Sequence, residues 1–234
     1  MTDFLMYIQE LLAAMGIDFR MSIVIEYFPL FMRGMLWTIG MSLAGVILGS
    51  IIGLFIALGK MSPLLLVRFP FTWYINIFRG TPMLVQLFLI HFAVMPIFMS
   101  PVNPAASVVV TLSLNSAAYV AEIFRAGIQS IDKGQAEAAH SLGMNKIQVM
   151  RHVILPQAFK RMIPPLGNEF IVLLKDSSLG AIIAAPEILY WGRAATGQYY
   201  RVWEPYITVA ILYFLLTLTL TYILNYLERR FATE

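Results

Sequence analysis

Several polar side chains lie inside stretches of the sequence that are otherwise apolar. Asn115, Tyr119 and Glu122 follow one another at i, i+4 and i+7, a spacing that places them on one face of a helix. Gln86 lies in an earlier apolar stretch. A polar group in lipid is costly, so each must face a partner, water or a polar solute. Asn115, Tyr119 and Gln86 are therefore candidates for lining a path through a membrane, while Glu122 is expected to form a structural ion pair with Arg125.

A second set of polar residues carries both signs of charge. Asn168 and Lys175 are seven residues apart, as are Glu169 and Asp176, so a helix would present them as two neighbouring stripes. Glu169 can receive a cation and Lys175 can hold a carboxylate. The alternative is that Lys175 and Asp176 neutralise each other, or a neighbouring subunit, and only hold helices together.

The composition places the chain in a bilayer. Hydrophobic residues make up 59% of it and the mean hydropathy is +0.76, which is more apolar surface than a soluble core hides. Long blocks with few or no charges cover residues 34–59, 80–121, 162–186 and 205–227. The second block is too long for one span and has three prolines near its centre, so it is predicted to form two. We expect an all-α integral membrane domain, residues 1–234, with five spans between residues 34 and 228.

The basic residues predict the orientation of these spans. Lys and Arg are concentrated in residues 60–79, in residues 125–161 and at residues 229–230, and cytoplasmic loops retain such residues. The N-terminus is thus expected outside and the C-terminus inside. The pI near 9.2 follows from this asymmetry and gives no support to nucleic-acid binding. Residues 1–25 are predicted to form an interfacial helix that anchors the chain to the lipid, without a cleaved signal peptide.

The sequence offers little for catalysis or metal binding. It has no Cys, and its three His residues lack the spacing of metal ligands. The nearest approach to a phosphate-binding loop, residues 53–61, has the wrong spacing and ends in Lys60 and Met61. Gly45, Gly49 and Gly53 in the same span instead predict a smooth ridge for close helix packing. We expect no cofactor in this chain, which is not predicted to be an enzyme.

Residues 128–161 form an inside loop that is longer than a simple connection requires. Good helix formers fill residues 135–142, Gly143 stops that helix, and apolar residues at 147, 150, 153 and 154 predict a second one. Two short helices are therefore expected along the membrane surface. The alanines keep the first helix slim enough to enter a cleft on another protein.

The same loop resembles the signature loop of ATP-binding cassette (ABC) importer permeases. Its pattern is Glu137-Ala138-Ala139, three residues, Gly143, nine residues, then Val153-x-Leu155-Pro156. The resemblance implies that the first helix seats in a groove of a separate ATPase subunit, which binds ATP and Mg and transmits its closure to the spans. The coupling residues implied are Glu137, Ala138, Ala139, Gly143, Leu155 and Pro156.

Three further motifs resemble the uptake permeases for polar amino acids: residues 78–82 (FRGTP), residues 117–131, and residues 164–169 with 175–179. The resemblance implies a type I importer fold in a bacterial cytoplasmic membrane, moving arginine, lysine, histidine or glutamine by alternating access. The implied partners are an ATPase dimer, a second permease that is identical or homologous, and an extracytoplasmic binding protein. Thr81 and Pro82 suit either a helix start, with Thr81 as its cap, or contact with substrate.

Two other classes of membrane protein remain as alternatives. An ATP-independent secondary transporter would also have intramembrane charges, but it would not need the signature loop. An ion channel would need a polar ring around a pore. Uptake without any ATPase subunit would favour either of them over an importer.

Overall fold

The computed structural model describes residues 18–232, and every regular element within them is a helix. The helices are α1 (Met21–Lys60), α2 (Leu65–Gly80), α3 (Met83–Phe98), α4 (Pro104–Gln129), α5 (Lys133–Ser141), α6 (residues 146–176), α7 (Ile188–Tyr199) and α8 (Trp203–Ala232). A π-helical segment lies inside α3 (Leu89–Val94) and another inside α6 (Met150–Ile154). A 3-10 segment, Ser177–Ile183, joins α6 to α7.

Helix α1 is longer than the predicted span of residues 34–59. Its 40 residues begin at Met21 and extend about 60 Å at ~1.5 Å per residue, which exceeds a bilayer of roughly 40–45 Å. Residues 21–25 thus belong to α1, and their assignment to a separate interfacial helix is corrected. The rest of that predicted helix, residues 1–17, lies outside the described residues.

The predicted glycine ridge is confirmed where α1 crosses α4. A Cβ atom added to Gly45 would lie 2.7 Å from the Cβ of Leu112, and one added to Gly49 would lie 2.8 Å from the Cβ of Ser116. Real Cβ atoms do not approach so closely, so only glycine allows the two backbones this separation. The close crossing buries Leu112 and Ser116 completely.

The block of residues 80–121 is divided between two helices, α3 and α4. The predicted pair of spans is not established, because α3 is long enough to cross a membrane only when taken together with α2. Helices α2 and α3 are bent by 106° at residues 81 and 82. Pro82 immediately precedes α3, but Thr81 does not cap it: the Thr81 hydroxyl donates instead to the Ile77 carbonyl at 2.8 Å. At the other end, Asn103 caps α4 by accepting from the Ala106 N–H at 3.2 Å.

One prediction about residues 144–186 is wrong, and a second differs from the structure in its bounds. The second short helix of the inside loop is not separate, because residues 146–176 run without a break into the long helix α6. The apolar block 162–186 is not one helix either, since α6 ends at Asp176 and a tighter 3-10 turn follows. The next helix, α7, starts where the buried Glu187 carboxylate accepts from the N–H of Leu189 at 2.8 Å.

Within residues 18–232, three helices are long and apolar enough to cross a membrane by themselves: α1, α4 and α8. The bent pair α2 and α3 would make a fourth span. Helix α6 does not qualify because polar residues occupy one of its faces. The structure therefore supports an integral membrane protein without establishing the predicted five spans.

Candidate functional site

A cleft of about 550 Å³ lies between α4 and α6, next to the end of α2, and we call it the charged cleft. The polar residues of its wall are Arg79, Tyr119, Glu122, Ser130, Arg161, Asn168 and Glu169. Two predicted path residues, Tyr119 and Glu169, thus meet in one cavity although 50 positions separate them in the sequence.

Glu169 is the most deeply placed charge of this cleft. Only 7% of the Glu169 surface is exposed. No Lys, Arg or His side chain among residues 18–232 lies within ion-pair distance of its carboxylate. The neighbouring Ser116 hydroxyl is neutral and does not compensate its charge. A buried carboxylate without a compensating cation is expensive in a low-dielectric environment, so this group is suited to binding a positive charge.

Glu122, on the opposite wall, differs because two cations neutralise it. Arg125 donates to its carboxylate at 2.8 Å, which confirms the predicted ion pair. Lys60, from the end of α1, binds the other carboxylate oxygen. The sequence did not indicate this second partner, since 62 positions separate the two residues. Glu122 therefore fastens α1 to α4 rather than offering a free charge.

Arg79 adds an exposed positive charge to the wall of the cleft. It ends α2, and its guanidinium carbon lies 5.2 Å from the centre of the Tyr119 ring, which is cation–π distance. Sequence reasoning noted the surrounding motif, residues 78–82, but did not assign Arg79 to the path. The signal available was an arginine directly before a glycine and a proline that break the helix.

The other two predicted path residues of this region, Gln86 and Asn115, contact each other outside the charged cleft. The Asn115 amide donates to the Gln86 side-chain oxygen at 2.9 Å. Gln86 in turn donates to the Phe78 carbonyl at 2.8 Å and to the Thr81 hydroxyl at 2.9 Å. The bend between α2 and α3 leaves backbone carbonyls without helical partners, and these amides satisfy them.

Lys175 and Asp176 lie at the end of α6 and do not line the charged cleft. Lys175 is exposed and Asp176 is half-buried. Among the described residues, neither has an ion-pair partner within 4 Å, so they do not neutralise each other directly. The structure places them about two helical turns from Glu169, towards the 3-10 segment.

The inside loop presents α5 on the protein surface. Asp132 caps this helix by accepting from the Gly134 N–H at 2.7 Å, and Gly143 ends it at a φ of +83°. Glu137 and Ala138 are exposed, whereas Ala139 is buried.

Two apolar side chains flank this turn in solvent, and sequence reasoning did not identify them as contact residues. Leu142 is 85% exposed and Ile147 is 78% exposed. Large apolar residues exposed together at a loop tip are typical of a contact surface for another protein. Their position on either side of a glycine turn was the available signal.

The last two residues of the signature pattern lie elsewhere. Leu155 and Pro156 line a second, apolar cleft of about 630 Å³ together with Leu54 and Phe159. The signature pattern thus extends from the loop tip into the first half of α6. Arg161, further along α6, donates to the carbonyl of Ser130 and so joins α6 to the residue that follows α4.

Comparison with known proteins identifies the family. Residues 65–233 match the family described as the binding-protein-dependent transport system inner membrane component. The chain belongs to this family. Its members are inner-membrane permease subunits that are not themselves catalytic, and the family implies an ATPase and a substrate-binding protein as partners. Membership does not favour the alternative of an ATP-independent secondary transporter.

Three relatives illustrate the similarity. A probable amino-acid ABC transporter permease of Bacillus subtilis, YckA, is 39% identical, with 92% of this chain and 94% of the relative covered. The arginine transport system permease ArtQ of Bacillus subtilis is 37% identical, covering 94% of this chain and all of the relative (100%). The glutamine transport system permease GlnP of Escherichia coli is 36% identical over 91% of this chain and 98% of the relative.

Solved structures agree with this assignment. The crystal structure of an amino acid ABC transporter with histidines matches at a TM-score of 0.86 and 43% identity, covering 91% of this chain and 99% of that one. The MetNI methionine ABC transporter matches at a TM-score of 0.75 and 22% identity, covering 88% and 98%, which supports the fold alone. The fold is that of a type I ABC permease.

Proposed function

We propose that this chain is the permease subunit of an ABC importer that carries polar or basic L-amino acids, namely arginine, lysine, histidine or glutamine, by alternating access. The observation that carries the proposal is the charged cleft, where the buried Glu169 carboxylate has no cationic partner among the described residues. A positively charged solute would supply that partner. Relatives named for arginine and glutamine transport support the same substrate class.

The test is uptake in proteoliposomes that contain this permease, its ATPase and its binding protein. ATP-dependent accumulation of at least one of the four amino acids is expected. A control with an ATPase that cannot hydrolyse ATP should accumulate none. Equal uptake with and without the ATPase would contradict the proposal and favour a secondary transporter.

The helix arrangement supports a five-span topology with the N-terminus outside and the C-terminus inside. Helix α6 would be the additional crossing. It packs against α4 and α8 and buries Leu173 and Leu174 completely, while its polar face lines the charged cleft. Its low apolarity thus follows from facing a polar path. Five crossings put the two ends of the chain on opposite sides. They leave the basic segments, residues 60–79, 125–161 and 229–230, on the cytoplasmic side, as their Lys and Arg content favours.

The coupling surface on the cytoplasmic side would be α5 with the turn at Gly143. Glu137, Ala138 and Ala139 would enter a groove of the ATPase, and Leu142 and Ile147 would add apolar contacts beside them. ATP and Mg would bind to that partner. The path itself would include Asn115, Tyr119, Glu169, Lys175, Asp176 and Gln86, completed by a second permease subunit that is identical or homologous.

A further inference from the structure

Arg79 is an exposed cation on the wall of the charged cleft, in the last turn of α2. It belongs to the motif of residues 78–82, to which the proposed function assigns no role. Its guanidinium lies against the Tyr119 ring at 5.2 Å. No carboxylate among residues 18–232 lies within 4 Å of it, and it has no hydrogen bond to the described part of the chain. A guanidinium stays charged and presents donors in a fork that fits a carboxylate.

The other cations near the cleft are already engaged. Lys60 and Arg125 both bind Glu122. Arg161 donates to the Ser130 carbonyl and, at 3.2 Å, to the Ser130 hydroxyl. Arg79 is therefore the lining cation whose donors face the cavity without a partner in the described chain.

Glu169 is the opposite charge of the same cavity and lies on a different helix. Arg79 belongs to α2 and Glu169 to α6, so the two charges line separate walls. A free amino acid carries an α-carboxylate and at least one cationic group. The cavity's volume of about 550 Å³ lies within the roughly 300–1,000 Å³ common for small-molecule sites.

We propose that Arg79 binds the α-carboxylate of the translocated amino acid in the charged cleft, with Glu169 facing the cationic part of the same molecule. This inference rests on the proposed function. The sequence assigned the carboxylate to Lys175, but Lys175 does not line this cavity. The Tyr119 ring holds the guanidinium in place before the substrate arrives, which lowers the ordering cost of binding.

The break between α2 and α3 fixes where Arg79 points. The carbonyl of the preceding residue, Phe78, accepts from Gln86 at 2.8 Å and from Asn115 at 3.4 Å. These amides anchor the last turn of α2 against α3 and α4. In the charged cleft, Gln86 and Asn115 thus act as positioning residues for Arg79.

The test compares an amino acid with its decarboxylated analogue. The permease–ATPase complex in lipid nanodiscs, without binding protein, is titrated with radiolabelled L-arginine and with agmatine, which lacks the carboxylate. The wild-type complex should prefer L-arginine by on the order of tenfold or more, as expected for a charge-assisted contact. Arg79→Ala should weaken L-arginine binding and so reduce this preference to about twofold or less. Agmatine, which carries two positive charges and no carboxylate, should bind at least as well as it does to the wild type.

Arg68→Ala is the matched control, because Arg68 lies on the same helix, is exposed and does not line the cavity. It should keep the full preference. Arg79→Lys should keep part of it. If Arg79→Ala fails to co-purify with the ATPase, the same two titrations are carried out with Arg79→Gln.

A retained L-arginine preference in Arg79→Ala, or an equal loss for both ligands, would overturn the assignment of Arg79 alone. Wild-type uptake in proteoliposomes is measured in parallel. Absence of ATP-dependent uptake of all four amino acids would overturn the proposed function and this inference together.

Discussion

The Asn115 amide donates to the Gln86 side-chain oxygen at 2.9 Å, although 29 positions separate the two residues. Both side chains are buried, and their remaining donors bind the backbone at the break between α2 and α3. This contact joins α3 to α4 next to the turn that presents Arg79. These two amide side chains therefore stabilise the packing of α2, α3 and α4.

The first prediction follows from this contact. Gln86→Leu removes the donor to the Thr81 hydroxyl and the shorter of the two donors to the Phe78 carbonyl, which keeps only Asn115 at 3.4 Å. This loss should destabilise the folded permease by about 1–3 kcal/mol. Thermal unfolding of the detergent-solubilised complex measures the loss. Asn225→Leu, at an exposed position of α8, is the control and should change little. Stability equal to that of the wild type would show that the Gln86 hydrogen bonds do not stabilise the break between α2 and α3.

The second prediction concerns the coupling turn. Gly143→Val should lower ATP-dependent transport while the permease still inserts, because a φ of +83° is strained for a β-branched residue. The measurement is the amount of ATPase that co-purifies with the membrane-inserted variant. Gly40→Val is the control, since no atom lies within 4 Å of its added Cβ and its φ is ordinary. Unchanged association together with unchanged transport would remove this turn from the interface.

A companion pair of variants tests the docking surface itself. Glu137→Lys and Leu142→Glu should both reduce ATPase association, since Glu137 is exposed on α5 and Leu142 is 85% exposed beside it. Leu66→Glu is the matched control, because Leu66 is 92% exposed on α2, away from this loop. A larger loss of ATPase from Leu66→Glu than from Leu142→Glu would contradict the proposed surface.

The third prediction concerns orientation. A cysteine at Gln135 should resist an impermeant thiol reagent added outside intact cells, whereas a cysteine at Gly197 should react. Both positions are exposed in the structure, so burial does not confound the result. The sequence has no Cys, which leaves no background. Labelling at Gln135 but not at Gly197 would reverse the proposed topology.

The fourth prediction concerns Glu169. If its carboxylate receives the substrate's cationic group, Glu169→Gln should lower transport of arginine, lysine or histidine more than transport of glutamine, because the change removes charge and keeps shape. Competition uptake in proteoliposomes, with ATPase and binding protein held constant, gives the ranking. Glu122→Gln is the contrast in the same cleft: two cations already neutralise Glu122, so all substrates should fall alike. An unchanged ranking in Glu169→Gln would exclude it from the binding site.

Local spacing was sufficient for those features that depend on residues close together along one helix. The glycines at 45, 49 and 53 predicted the ridge that meets α4, and the i, i+3 spacing of Glu122 and Arg125 predicted their ion pair. The family resemblance rested on similar short patterns. Helix boundaries in the second half of the chain were less predictable, because the buried Glu187 cap and the 3-10 turn end and restart helices inside one apolar block.

The sequence alone determined that this chain is an α-helical membrane protein with a permease signature, because hydropathy, basic loops and motif spacing are properties of neighbouring residues. Only the tertiary structure decided which polar groups meet. Arg79 and Glu169 share a cleft across 90 positions of sequence, Lys60 reaches Glu122, and Lys175 lies outside the cavity for which its charge had suggested it. The physical reason is that a charge acts over a few ångströms in space, and those distances are set by how α1, α2, α4 and α6 pack against one another.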